Sequence, residues 1–197
     1  MNKPIQTLIM LGKPGAGKGT QSGILKERLR YSVIGLGDFF RGISKQDTFV
    51  SNKIKHTIDQ GILLPDWIPS YVLIDKLFHE IKTEDSIIFE GAARSQKQAE
   101  LLHLALEWFE RPYKAIYIDI SDQEAIERLG SRRELINRAD DDENHIKTRL
   151  EMHHSSVVPG IEFFREQGTL IEINGAQAME DVSKEIIQKL HKEGLEV

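Results

Sequence analysis

Short apolar runs alternate along this chain with longer segments in which apolar residues return every three or four positions. Gln6–Leu11, Val33–Ile34, Ser86–Phe89, Lys114–Asp119 and Thr169–Ile173 read as strands; a short, largely apolar run ended by a turn residue marks a buried strand. Helical spacing occupies Lys18–Arg30, Asp66–Lys82, Ser95–Glu110, Asp122–Gly130, Asp141–Val157 and Met179–Lys192. Strands that alternate with helices predict an α/β fold in three layers, with a five-stranded parallel sheet covered on both faces. Right-handed crossovers then gather the loops that follow the strands on one edge, where ligands bind. Two stretches depart from this rhythm. Residues Leu36–Leu64 contain no strand pattern and read as a small helical lobe inserted between the second and third strands, and Ser131–Asn137 reads as a short polar excursion.

Composition narrows the class. A chain of 197 residues, 40% hydrophobic and 29% charged, suits one ordinary globular domain with a full core. The net charge of −5 favours neither nucleic acid nor an anionic membrane as a partner, so any anionic ligand must be met by a local cluster of cations. With no cysteine, disulfides and cysteine-bound zinc are excluded, and a reducing compartment fits. The apolar run near the N-terminus is too short for a signal peptide or a membrane span, so a cytoplasmic location is expected.

The strongest chemical signal follows the first strand: Gly12, Lys13, Pro14, Gly15, Ala16, Gly17, Lys18, Gly19 and Thr20, running into a helix. Glycines let successive backbone N–H groups curl around phosphate oxygens, and the helix N-terminus adds its positive dipole. Lys18 offers a point charge to the β- and γ-phosphates, and Thr20 a hydroxyl toward Mg²⁺. The strict phosphate-loop pattern has Ser or Thr directly after the lysine, and here Gly19 intervenes.

The sequence G-x-P-G-A-G-K-G-T-Q resembles the loop of the adenylate kinase family of nucleoside monophosphate kinases, in which that intervening glycine is usual, and the resemblance extends over nearly the whole chain. It implies a single kinase domain with its core at 1–35, 65–130 and 139–197, a monophosphate-binding lobe at 36–64 and a short lid at 131–138. The family's T-G-D-x-x-R appears as Leu36-Gly37-Asp38-Phe39-Phe40-Arg41, which implies that Arg41 grips the acceptor's phosphate. Its G-x-[LV]-[VL]-x-D appears as Gly61-Ile62-Leu63-Leu64-Pro65-Asp66, and the carbonyl of Leu64 is then expected at the acceptor base. Its D-G-[FY]-P-R-x-x-x-Q appears as Glu90-Gly91-Ala92-Ala93-Arg94-Ser95-Gln96-Lys97-Gln98. Arg94 is the implied second clamp on the acceptor phosphate, where a planar guanidinium suits bidentate binding. Gln98, one helical turn on, is expected to read an adenine edge. Glu90 replaces the family's Asp near Mg²⁺ and its waters. The aromatic and the proline are lost at Ala92 and Ala93, which suggests a loop that holds Arg94 less firmly.

The last third supplies the cations. Arg128 and Arg132 lie four apart on one helix face, an unfavourable spacing for like charges unless an anion sits between them. Arg138-Ala139-Asp140-Asp141 and Arg149-Leu150 follow, matching the arrangement of the family's short-lid members. By resemblance, Arg128 packs on the ATP base while Arg132, Arg138 and Arg149 neutralise the transferring phosphoryl group; whether Arg132 or its neighbour Arg133 faces the phosphates stays open. Gln177, after the last strand, falls where the family's loop lines the ATP base. The adjacent His153 and His154 point apart on a helix, with no third ligand evident, so no metal site is expected there.

These features together imply an ATP-dependent phosphotransferase using Mg²⁺ and acting on a nucleoside monophosphate, with AMP first in line, as a monomer with no nucleic-acid or membrane partner. A kinase for UMP or CMP remains open, since Leu36 stands where adenylate kinases carry Thr and pyrimidine kinases often Ala. A nucleotide-binding protein that senses without catalysing also remains open, supported by the altered Glu90–Ala93 loop alone.

Overall fold

The computed structural model describes residues 4–136 and 143–195. Five strands form one sheet: β1 (Thr7–Gly12), β2 (Ser32–Gly35), β3 (Ile87–Glu90), β4 (Tyr113–Asp119) and β5 (Leu170–Asn174). They lie in the order β2-β3-β1-β4-β5, and every pairing is parallel. All five expected strands are present, within one or two residues of the expected bounds.

The central strands β1 and β3 are largely apolar on both faces, while polar residues such as Ser32, Glu172 and Asn174 appear on the outer strands. Leu8, Met10, Ile88, Ile116, Ile118, Ile171 and Ile173 point to one side. There they meet α1 (Lys18–Leu29), the start of α6 (Asp122–Ile136), α7 (Glu143–Met152) and α9 (Met179–Lys192), through Leu25, Leu129, Leu150 and Ile186. Ile9, Leu11, Ile87, Phe89 and Ala115 point to the other side. They are covered by α2 (Leu36–Ile43), α3 (Phe49–Asp59), α4 (Trp67–His79), α5 (Gln96–Trp108) and α8 (Val158–Glu166). The centre of a sheet buried on both faces has no solvent side for polar residues to occupy.

The stretch from Leu36 to Leu64 is helical, as expected, and holds α2 and α3. The start of α3 is fixed by a reciprocal cap: Thr48 Oγ1 accepts from the Ser51 N–H at 3.1 Å, and Ser51 Oγ accepts from the Thr48 N–H at 2.8 Å.

Two helices differ from the expected ones by more than three terminal residues. The helix expected to stop at Gly130 runs on to Ile136. Residues 131–136 combine Arg, Glu, Leu and Ile with no proline, and one glycine costs a helix only about 1 kcal/mol against alanine. What reads as a polar excursion therefore begins as a continuation of α6. Arg138, Asp140, Asp141 and the side chain of Arg133 lie outside the described residues. The single helix expected over Asp141–Val157 becomes α7, then a π-helical turn at His153–Val157, then α8. Pro159 lies in the first turn of α8, which follows the π-helical turn without a gap.

The N-terminal edge of the sheet is tied by buried polar groups. Arg111, just before β4, donates from Nε to Thr7 Oγ1 at 2.8 Å and from Nη2 to the carbonyls of Gln6 and Asp85. Tyr31 Oη donates to the Ile5 carbonyl nearby. The opposite edge carries the loops of interest. Among the described residues, no helix is long and apolar enough to cross a membrane.

Candidate active site

The loop between β1 and α1 is built from glycines at positive φ, at positions 12, 15 and 17, with Ala16 buried between them. Lys18 opens α1, and its ammonium folds back over the loop, donating to the carbonyls of Gly12 and Lys13, each at 2.8 Å. Burial, then the charge of Arg94, lower its pKa to about 7; Arg149 and Arg132 act the same way, and only Glu90 opposes them. Four residues distant in sequence thus converge electrostatically on the loop lysine. Thr20 is exposed in the first turn of α1.

Lys13, an unspecified position in the loop pattern, has a defined place. Its ammonium donates to the Ile120 carbonyl at 2.5 Å and pairs with Asp122 at 3.1 Å. Asp122 in turn meets His154 Nε2 at 2.9 Å. The hydrogen bond from His154 and the charge of Lys13 hold the Asp122 carboxyl below its usual pKa, against a smaller effect of burial. The phosphate loop is fastened through this network to the start of α6 and to the turn after α7. The sequence signal was faint: a lysine in a loop and an aspartate in a helix's first turn.

The loop after β3 brings in the next set. Glu90 ends the strand, with its carboxylate against Gly19; a Cβ on that glycine would lie 3.4 Å from Oε1. Gly91 follows at φ +77, and a Cβ there would sit 2.7 Å from the Arg94 Nη2. Only glycine leaves room for the guanidinium. Burial and the charges of Arg149 and Arg41 push the Arg94 pKa below its ordinary value, with Glu90 opposing. The arginine is thus held in a positive field that an anion would relieve.

Ala92 and Ala93 are both buried, at 2% and 3% exposure, which bears on the looser loop suggested by the sequence. Ala93 takes φ +54 through a trans peptide, a conformation proline cannot adopt. Gly160 of α8 lets the two segments touch: a Cβ there would lie 3.0 Å from the Ser95 carbonyl oxygen. Close packing on α8 takes over the support that an aromatic and a proline provide in the family's pattern.

Gln98 is buried and its amide is engaged inside the protein. Its Oε1 accepts from the Arg94 N–H at 2.9 Å, and its Nε2 donates to Asp66 Oδ1 at 2.9 Å. Ser95, which caps α5 by accepting from the Gln98 N–H, also donates to Asp66 at 2.7 Å. Gln98 and Asp66 therefore join the segment ending at Asp66 to the Arg94 loop. One N–H and one lone pair of the amide remain for a ligand. Motif reading marked Asp66 without its partners and left Lys13 as an unspecified loop position.

One cavity, about 1170 Å³ of space in part continuous with solvent, joins these pieces. Gly12, Pro14 and Lys18 line it from the phosphate loop, and Arg149 and His153 from the far side. All six residues expected at an acceptor site, Leu36, Arg41, Leu64, Gly91, Arg94 and Gln98, line it as well. Arg41 on α2 pairs with Asp38 one turn back. Arg128 and Gln177 are not among the lining residues. They meet instead at the loop after β5, where Arg128 Nη2 donates to the Gly175 carbonyl at 2.8 Å, and Gln177 Nε2 to the Asn174 carbonyl at 2.9 Å.

A family model described as adenylate kinase matches residues 10–169. The chain belongs to the adenylate kinase family. It is 33% identical over 187 residues to an adenylate kinase of Leptospira biflexa, covering 94% of this chain and all of that one. It is 31% identical over 211 residues to an adenylate kinase of Caldicellulosiruptor bescii, covering 93% and 98%. An adenylate kinase of Chlamydia trachomatis is 33% identical over 223 residues, covering 93% and 89%. The chain is accordingly a nucleoside monophosphate kinase, an ATP-binding phosphotransferase with the family's fold. Its departures from the adenylate kinase motifs quoted above lie at Leu36 and in the loop Glu90–Ala93.

Proposed function

We propose that this kinase transfers the γ-phosphoryl group of ATP reversibly to AMP, giving two ADP. The observation that carries this reading is the shared cavity: the six acceptor-site residues line one space with Lys18 of the phosphate loop. Phosphoryl transfer asks little covalent help of a protein, and catalysis is positioning plus stabilisation of charge. In this reading Lys18, Arg132, Arg138 and Arg149 neutralise the group in flight, and Arg41 and Arg94 hold the acceptor phosphate. The free N–H and lone pair of Gln98 suit the donor-and-acceptor edge of adenine. Arg128 and Gln177, which bond to the loop after β5, are assigned in this reading to the ATP base on the family resemblance.

The oxygen donors Thr20 and Glu90 flank the loop lysine and suit Mg²⁺, which binds through one or two carboxylates together with substrate phosphates and water. When bound, the ion supplies charge neutralisation of the phosphates. In this reading the lobe at 36–64 closes over the substrates, excluding water that competes as acceptor. We further propose that the enzyme works as a monomer in the cytoplasm.

Leu36 keeps a second acceptor class in view, because a leucine stands where the family pattern has threonine and it lines the cavity. Coupled measurement of ADP formation with AMP, UMP, CMP and GMP separates the readings. AMP is expected to give the highest kcat/KM, and a pyrimidine monophosphate in first place would overturn the assignment. Lys18→Ala is expected to lower kcat by about two to three orders of magnitude, as for loss of a major electrostatic stabiliser.

A further inference from the structure

His153 opens the π-helical turn that follows α7, four residues after Arg149. That spacing puts the two side chains on one helical face, and both line the cavity. Its neighbour His154 turns outward to Asp122, with the two rings nearly perpendicular at 87°. His153 itself is only 3% exposed, and its ring stacks on Tyr117 at 6.5 Å between centroids and 18° between planes. Neither ring nitrogen has a hydrogen-bond partner among the described residues. Burial, then the charges of Lys18, Lys13 and His154, hold the imidazole neutral, with only Asp122 opposing.

This placement is costly as it stands. A buried polar group without a partner forfeits its hydration for nothing. A phenyl ring there would keep the stack on Tyr117 without that cost. Single π-turns inside helices commonly accompany functional sites, because the added residue re-aims a side chain. The polar ring borders the cavity, and the cation whose field it feels most is Lys18. A neutral imidazole carries one N–H donor and one acceptor. Phosphoryl oxygens only accept, so the N–H is the end that fits a phosphate held by Lys18.

We propose that His153 is a substrate-contacting residue, its neutral ring donating a hydrogen bond to a phosphoryl oxygen of the nucleotide bound in this cavity beside Lys18. The inference rests on the reading of the cavity as the nucleotide site. The phosphoryl oxygen belongs either to the monophosphate or to ATP, and the arms of the test separate the two.

The test uses the wild-type protein labelled with ¹⁵N at histidine. The ring resonances of His153, assigned by comparison with His153→Phe or by through-bond correlation to its backbone, are followed while AMP alone, Mg·ATP alone or inorganic phosphate is added. A shift of a His153 ring nitrogen toward a hydrogen-bonded value in the AMP or the Mg·ATP arm supports the proposal and names the source. Unmoved ring nitrogens at saturation in both arms overturn it. In parallel, His153→Phe is expected to melt at or above the wild-type temperature while losing about ten- to a hundredfold in kcat/KM, and His153→Asn, which keeps a donor, is expected to recover part of that loss. Wild-type kinetics in His153→Phe would overturn the proposal; should that variant fail to fold, the wild-type resonances still decide. If the wild-type enzyme forms no ADP with any monophosphate, the proposed reaction falls, while the ring shifts still report on His153 separately.

Discussion

Arg94 can occupy its place only because residue 91 has no side chain. A Cβ at Gly91 would stand 2.7 Å from the guanidinium, at a φ that L-residues rarely take. Gly91→Ala should therefore displace Arg94 and raise KM for the monophosphate at least tenfold, with a smaller change in KM for ATP; initial-rate kinetics with each substrate varied will show which constant moves. Arg41→Ala and Arg94→Ala should weaken monophosphate binding in calorimetry and leave ATP affinity near normal, and the reverse result would mean the two nucleotide sites are exchanged. These arginines were legible in the sequence because each sits in a motif with fixed neighbours. The contacts of Lys13, Asp66 and His153 were not, even though Asp66 closes a motif. Each residue acts on groups far away in the chain, as when Lys13 reaches Ile120, and no local spacing announces such a partner. For Gln98 the motif marked the position, while the engagement of its amide with Asp66 and Arg94 became visible only in the fold.

At the scale of elements, the strands were readable because the centre of a sheet covered on both faces needs short apolar runs, as in β1 and β3, while β4 and β5 keep an apolar core broken by single polar residues. Helix ends were harder. Gly130 looks like a stop, yet a glycine is tolerated within α6, and the helix expected to end at Val157 runs on through a π-helical turn into α8. Gly160 serves the contact between α8 and the Arg94 loop instead of ending a helix. The same contact explains how two alanines replace an aromatic and a proline: the loop is supported from outside by α8, with Ala93 at φ +54. Ala93→Pro, which would restore the family's residue at this position, should consequently destabilise the protein by more than about 1 kcal/mol, because the ring fixes φ near −65°. Urea denaturation measures it, and a midpoint equal to or above wild type would show that the loop is free to take the other conformation.

For the whole molecule, the buried imidazole of His153 gives stability a dependence on pH. Its pKa falls from an ordinary 6.5 to about 4 in the folded protein, chiefly through burial and the charges of Lys18 and Lys13. Between those values the unfolded chain binds the proton and the folded one does not. Stability from this group therefore rises with pH across that window and is lost on acidification toward 4, with a slope of up to about 1.4 kcal/mol per pH unit. His153→Phe should flatten that part of the profile; denaturation midpoints of both proteins from pH 4 to 7 test this, and parallel curves would contradict it. The two edges of the sheet meanwhile hold different kinds of residue. One carries every loop discussed at the site. The other is drawn together by the single guanidinium of Arg111, which links the approaches to β1 and β3 to the segment leading into β4. Because that tie shares no contact with the cavity, the substrate-facing rim is free to vary without loosening the base. Leu36 and Ala92 line the cavity at the opposite edge, with Glu90 and Ala93 beside them in the loop after β3, so a lineage that tries new acceptors there changes the site and its local packing while the Arg111 tie stays as inherited.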